Sequence, residues 1–68
     1  MNNCLRWTDV NDIAQLLAEH HAEVDPRYLK FPDLYRWVLA LPAFSDDPSR
    51  CNERVLEAIQ GAWLTEIS

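Results

Sequence analysis

The sequence predicts an all-α fold in one small domain, with three main helices and one short helical turn. Three observations predict it. Apolar residues recur at helical spacing in three segments, no segment alternates polar and apolar residues as a half-buried strand does, and four prolines divide the chain. A chain of 68 residues, 49% of them apolar, supports one modest core. We expect a single domain over residues 1–68, with its core over about residues 5–66.

The first predicted helix begins after Trp7 and ends near His21. Thr8 is its predicted N-cap, and Asp9 and Asp12 fall in the first turn, where carboxylates stabilise the helix dipole. Its predicted buried stripe comprises Val10, Ile13, Ala14 and Leu17.

A short helical turn is predicted from Asp25 and Pro26 to Leu29, because an acid followed by proline is typical of a helix start. The second long helix is predicted to begin at Phe31 and to stop before Pro42. One face of it carries Leu34, Trp37, Val38 and Leu41.

The third long helix is predicted to begin near Pro48 or Ser49. Gly61 lies inside it and costs about 1 kcal/mol relative to alanine, so this turn is expected to be either loosely packed or pressed against a neighbour. The residues predicted to face inward are Val55, Leu56, Ile59, Ala62, Trp63 and Ile67.

The net charge of −5 disfavours nucleic-acid binding, which depends on Lys and Arg at the phosphates. Arg50 and Arg54 are basic, but Glu53 and Glu57 offset them, so a winged-helix transcription factor remains a remote alternative. An acidic surface favours basic protein partners or cations, or it serves only solubility. No segment is apolar for long enough to span a membrane, and no signal peptide is visible, so we expect a cytoplasmic monomer.

No residue pattern predicts an enzyme. Cys4 and Cys51 have no neighbouring base that would activate a thiol, and a single glycine cannot form a phosphate-binding loop. His20 and His21 are adjacent and so cannot ligate one metal as an i, i+4 pair; a structural role at a helix C-terminus is expected. The three tryptophans, Trp7, Trp37 and Trp63, are predicted to be core residues.

Five acids are predicted to lie in turns or at helix starts: Glu23, Asp25, Asp33, Asp46 and Asp47. Each could stabilise a helix dipole. Because one carboxylate suffices at each helix terminus, the second acid of a pair such as Asp46 and Asp47 is interpreted as surplus. Surplus carboxylates at one surface favour an arginine-rich partner or a hard cation.

The whole chain resembles the IscX family, also called YfhJ, small acidic proteins of bacterial iron–sulfur cluster assembly operons. The matching motifs run in order without a gap: LRWTD at 5–9, VDP at 24–26, FPDL at 31–34 with Trp37, FSDDP at 44–48, NE at 52–53, LEAI at 56–59, and WL at 63–64 with Glu66. The resemblance implies an all-helical domain related to the winged helix, without nucleic-acid binding.

The resemblance also implies binding to a cysteine desulfurase (IscS-like), in competition with frataxin and ferredoxin, and weak binding of ferrous iron without any tightly bound cofactor. It assigns partner binding to the matching acids, which are Asp9, Asp12, Glu23, Asp25, Asp33, Asp46, Asp47, Glu53 and Glu57. The candidate iron ligands among them are Asp25, Asp33, Asp46 and Asp47.

Three departures weaken the expectation of iron binding more than that of docking. Ser45 stands where the family often has a third acid, Pro42 and Ala43 stand where it often has acids before the phenylalanine, and the family's acidic C-terminal tail is reduced here to Glu66. Multidentate coordination needs several carboxylates close together, whereas an interface can spread its charges over a wide surface. The leading hypothesis is therefore a non-enzymatic adaptor or modulator of a desulfurase. An iron donor to the assembly scaffold is the second.

Overall fold

Residues 5–67, the part of the chain that a computed structural model describes, form three α-helices and one 3-10 turn. The helices are α1 (Val10–His20), α2 (Phe31–Ala40) and α3 (Glu53–Ile67), and the 3-10 turn, Pro48–Arg50, precedes α3. Over these residues the extended pairing is limited to a single bridge between Leu5 and Phe44. The all-α fold that the sequence predicts is confirmed.

Helix α1 buries three of the four residues of the predicted stripe: Ile13, Ala14 and Leu17 are inaccessible to solvent, whereas Val10 is half-buried. The prediction of Thr8 as N-cap is wrong, because the N-cap is Asp9. The N–H of Asp9 donates to the Arg6 carbonyl at 2.9 Å, and the N–H of Arg6 donates to Asp9 Oδ2 at 2.9 Å. These bonds close a turn over residues 6–9, so the helix starts one residue later than predicted.

The segment between α1 and α2 forms a hydrogen-bonded turn, and the helical turn predicted from Asp25 to Leu29 is not observed. The N–H of Tyr28 donates to the Asp25 carbonyl at 3.0 Å, while Asp25 Oδ1 accepts the N–H of Arg27 at 3.0 Å. A side chain that binds its own backbone in this way competes with helix formation. Pro26 is fully buried, and its carbonyl accepts a bond from the side chain of Gln60 on α3, which ties the turn to that helix.

Helix α3 begins at Glu53, later than the predicted start near Pro48 or Ser49. The chain contains two successive caps. Asp47 caps only the 3-10 turn, whereas Asn52 caps α3, because Asn52 Oδ1 accepts the N–H of Val55 at 2.9 Å.

Three residues of α3 are buried as predicted: Leu56, Ile59 and Trp63. Ile67 was expected inside but is 53% exposed, because it lies in the last turn of the helix, beyond these buried positions. Gly61 is exposed, and a Cβ atom at this position would meet nothing within 4 Å. Of the two alternatives for Gly61, the open one is therefore observed.

The core forms where α1 packs against α3, with α2 and the N-terminal segment covering it. Its buried hydrophobic residues are Trp7, Ile13, Ala14, Leu17, Leu34, Val38, Leu41, Leu56, Ile59 and Trp63. Trp7 and Trp63 are thus core residues as predicted, whereas Trp37 is half-buried and packs edge-on against Trp63 at 6.2 Å between ring centres.

The N-terminal segment is held along the loop that follows α2. The N–H of Leu5 donates to the Ala43 carbonyl at 2.8 Å, and the N–H of Ser45 donates to the Leu5 carbonyl at 3.0 Å. The ring of Trp7 packs edge-on against Phe44, with ring centres 4.7 Å apart. We call this contact of residues 5–7 with residues 43–47 the N-terminal seam.

No helix within residues 5–67 combines the length and the hydrophobicity that crossing a membrane requires.

Candidate functional site

The nine predicted partner-binding acids fall into two groups according to what their carboxylates contact. Five of them accept a hydrogen bond or form an ion pair inside the protein: Asp9, Asp25, Asp33, Asp46 and Asp47. The other four, which we call the exposed acids, are solvent-exposed, and their carboxylates form no ion pair or hydrogen bond with residues 5–67: Asp12, Glu23, Glu53 and Glu57.

Asp46 fastens the N-terminal seam. Its Oδ2 accepts the backbone N–H of Trp7 at 3.0 Å, and its Oδ1 accepts the N–H of Asp47 at 2.7 Å. The indole N–H of Trp7 in turn donates to the Asp47 carbonyl at 2.8 Å. Both bonds to the carboxylate favour its ionised form, so they lower the pKa of Asp46, with the Trp7 N–H as the larger cause.

Asp47 has a local role that differs from that of Asp46. Its Oδ1 accepts both the backbone N–H and the hydroxyl of Ser49, each at 2.9 Å, and so caps the 3-10 turn. The backbone N–H of Ser49 is the largest cause of the lowered pKa of Asp47. Because each carboxylate has its own partners, the interpretation of one of them as surplus is wrong.

Two further acids are held by arginines. Asp25 and Arg27 form a two-pronged ion pair, with Nε–Oδ1 at 3.1 Å and Nη2–Oδ2 at 2.9 Å. The hydrogen bond from the Arg27 side chain is the largest cause of the lowered pKa of Asp25. Asp33 and Arg36 form a second ion pair across one turn of α2. These two carboxylates are therefore already neutralised by neighbours on the surface.

The four candidate iron ligands do not form a coordination site. Over residues 5–67, no three side chains of His, Cys, Asp or Glu come close enough together to hold a metal ion. Asp46 and Asp47 are neighbours in sequence, but both oxygens of Asp46 and Oδ1 of Asp47 already accept backbone N–H groups. A hard cation needs several converging oxygens, and this donor set does not supply them.

The remaining chemically interesting side chains occupy structural positions. Burial raises the pKa of the Cys51 thiol, which favours the unreactive protonated form. His20 lies in the last turn of α1, as expected, and the ring of His21 stacks on Trp37 at 4.7 Å between ring centres. Cys4, the other candidate thiol, lies outside the described residues.

Sequence reasoning missed a groove that gathers three arginines. Arg6, Arg50 and Arg54 line a groove of 450 Å³ beside the N-terminal seam. Arg6 is 44 residues from Arg50 in the sequence, so no local pattern could have revealed the cluster. Two further exposed acids, Glu19 and Glu66, lie outside the predicted set.

Comparison with known proteins gives two consistent results. A family model described as iron-sulphur cluster assembly matches residues 5–68. A protein of Pseudomonas aeruginosa, named as uncharacterized protein PA3808, is 63% identical over 62 residues, which make up 91% of this chain and 94% of that protein. The match covers every motif on which the resemblance rests, from residue 5 onward. The chain therefore belongs to this iron-sulphur cluster assembly family, the IscX (YfhJ) family.

Proposed function

We propose that this protein is a non-enzymatic adaptor of iron–sulfur cluster assembly that docks on a basic surface of a cysteine desulfurase. Docking there excludes frataxin and ferredoxin and changes the rate at which sulfur is delivered. The observation that carries the proposal is the set of four exposed acids, whose carboxylates the fold does not use. Membership of the assembly family supports a partner within that machinery.

The division of the acids favours a spread-out docking surface. Asp12 lies on α1, Glu23 follows that helix, and Glu53 and Glu57 lie one turn apart on α3. Because carboxylates distributed in this way do not converge on one point, they suit a broad basic surface better than a single ion. Complementary charges at an interface raise the association rate and fix orientation.

A non-catalytic role fits the chemistry of the described residues. Cys51 is half-buried with a raised thiol pKa, and the ring of His21 stacks on Trp37 and lies tilted against Trp63. Within residues 5–67, neither has a partner arranged to activate it as nucleophile or base. In this proposal the chain acts in the cytoplasm as a monomer that changes its partner by occupying a surface.

Titration of the ¹⁵N-labelled protein with unlabelled cysteine desulfurase tests the proposal. The expected result is broadening or shift of the backbone amides of the exposed acids, lost at high salt because screening weakens surface charge pairs. Unchanged spectra at a twofold excess of desulfurase would contradict docking. A response confined to residues far from the exposed acids would contradict this surface.

Iron donation is the weaker alternative, because the candidate ligands do not converge. Anaerobic titration with Fe²⁺ separates the two functions: selective broadening at Asp25, Asp33 and Asp46 together would favour iron delivery. An NMR titration of the labelled protein with duplex DNA tests the transcription-factor alternative. We expect no change in the spectrum.

A further inference from the structure

We propose that the groove lined by Arg6, Arg50 and Arg54, the arginine groove, is a second docking site that binds an acidic, partly apolar peptide segment of a partner protein. The arginine groove is basic, whereas the surface proposed to bind the desulfurase is acidic. It would let the protein contact an acidic segment while its acidic surface contacts a basic one.

The arginine groove gathers half of the protein's basic side chains at one place on the surface. The protein has six Lys and Arg residues against eleven acids, and three of the six line this one groove. The described ion pairs use Arg27 and Arg36, on other parts of the surface. The three guanidinium groups of the groove are exposed and enter no ion pair with residues 5–67.

Helix α3 directs Arg54 and Glu53 into two different grooves. Arg54, Val55 and Ala58 line the arginine groove, whereas Glu53 and Leu56 line a different groove with Phe31 and Tyr35. The acids that offset the arginines along the sequence therefore do not line the arginine groove. Asp46 is the acid that does. The backbone N–H groups of Trp7 and Asp47 are the main cause of its lowered pKa, and the charges of Arg50 and Arg6 contribute less, so this carboxylate offsets part of the basic charge of the groove.

The walls of the groove explain why the occupant should be partly apolar. Val10 and Val55 are half-buried and Ala58 is exposed, so aliphatic carbon lines the groove together with the arginines. A guanidinium group recognises a carboxylate with two parallel hydrogen bonds, and aliphatic walls bind aliphatic side chains. Alternating acidic and apolar residues in an extended segment satisfy both features.

A peptide fits this site better than a nucleic acid does. A volume of 450 Å³ receives a few side chains. A duplex would extend past the groove and bring its phosphates near Asp47, Glu53 and Glu57, where like charges repel. A short acidic segment presents its charge to the three arginines, and Asp46 is the one acid that lines the groove with them.

The test is an NMR titration of the ¹⁵N-labelled protein with an eight-residue peptide that alternates glutamate and leucine. We expect shifts in the indole N–H of Trp7 and in the amides of Arg54, Val55 and Ala58. The matched peptide with glutamine in place of glutamate should bind at least tenfold more weakly. Equal binding of the two peptides would overturn the proposal.

Variants locate the site. Arg50→Gln with Arg54→Gln should weaken the glutamate peptide at least tenfold, whereas Arg27→Gln with Arg36→Gln, which removes the same charge elsewhere, should change its affinity less than twofold. Equal losses in the two variants would overturn the site, and so would a DNA duplex that produces the same shifts at equal affinity. Peptide binding without desulfurase binding would contradict only the proposed function.

Discussion

At the scale of single residues, Asp46 and Trp7 join the segment that precedes α1 to the loop that follows α2. A carboxylate that follows α2 accepts a backbone N–H 39 residues earlier in the chain, and the indole of Trp7 returns a bond to the Asp47 carbonyl. Trp7 is only 3% exposed, so this seam closes one side of the core. Asp46 is therefore a structural residue, whatever it contacts outside the protein.

Replacing Asp46 tests this role. Asp46→Ala leaves the N–H groups of Trp7 and Asp47 without their acceptor, so we expect a clearly lower Tm. Asp46→Asn keeps one acceptor oxygen and should fall between alanine and wild type. Thermal melts followed by circular dichroism measure both, with Glu57→Gln as an exposed control that should retain the wild-type Tm. A wild-type Tm for Asp46→Ala would contradict the proposed stabilising role of Asp46 in the N-terminal seam.

The pH dependence of stability follows from the same bonds. The pKa of Asp46 in the folded protein is below its ordinary value of 3.8, so the unfolded chain binds protons first as the pH falls. The stabilisation is therefore fully present above pH 3.8 and is lost as the pH falls through the folded pKa.

Melts between pH 7 and pH 3 at constant ionic strength measure this effect. We expect a Tm that changes little above pH 5 and falls below pH 4, with a smaller fall in Asp46→Asn, which cannot be protonated there. Identical profiles for the two proteins would assign the acid sensitivity to other groups.

At the scale of elements, the three helices differ in how well their sequences define them. The apolar stripe of α1 and the start of α2 at Phe31 were predictable, because each depends on local spacing and proline position. The start of α3 was not, because Asp47 and Asn52 are both good caps. The folded structure shows that Asp47 caps a 3-10 turn and that Asn52 caps the helix.

Gly61 gives a prediction for α3. An alanine Cβ at this position meets nothing within 4 Å, and alanine loses less backbone entropy than glycine on folding. Gly61→Ala should therefore raise the free energy of unfolding by about 0.5–1 kcal/mol. Urea denaturation measures it, and an unchanged or lower value would mean that α3 is crowded at this turn.

At the scale of the whole molecule, charge divides between folding and recognition. Composition predicted the acidic surface, and motif order predicted the family, but neither could separate the held carboxylates from the exposed ones. That separation depends on tertiary contacts, such as that of Asp46 with Trp7. The arginine groove could not be predicted for the same reason, because Arg6 lines the same groove as Arg50 and Arg54 only in the folded chain.

The central claim is that binding to the desulfurase depends on the positions of the exposed acids and not only on the net negative charge of the protein. Two variants with equal net charge separate these causes. Glu53→Gln with Glu57→Gln removes two exposed acids of the proposed surface, whereas Glu19→Gln with Glu66→Gln removes two exposed acids outside it. Both pairs are solvent-exposed, so we expect both proteins to fold.

Isothermal titration calorimetry with the cysteine desulfurase, at low and at moderate salt, is the most direct measurement. We predict that Glu53→Gln with Glu57→Gln raises the Kd by roughly threefold to tenfold at low salt and flattens its salt dependence, because each exposed pair contributes about 0.2–1 kcal/mol. Glu19→Gln with Glu66→Gln should stay within twofold of wild type. Equal Kd values for the two variants, or no binding by the wild-type protein, would contradict the account.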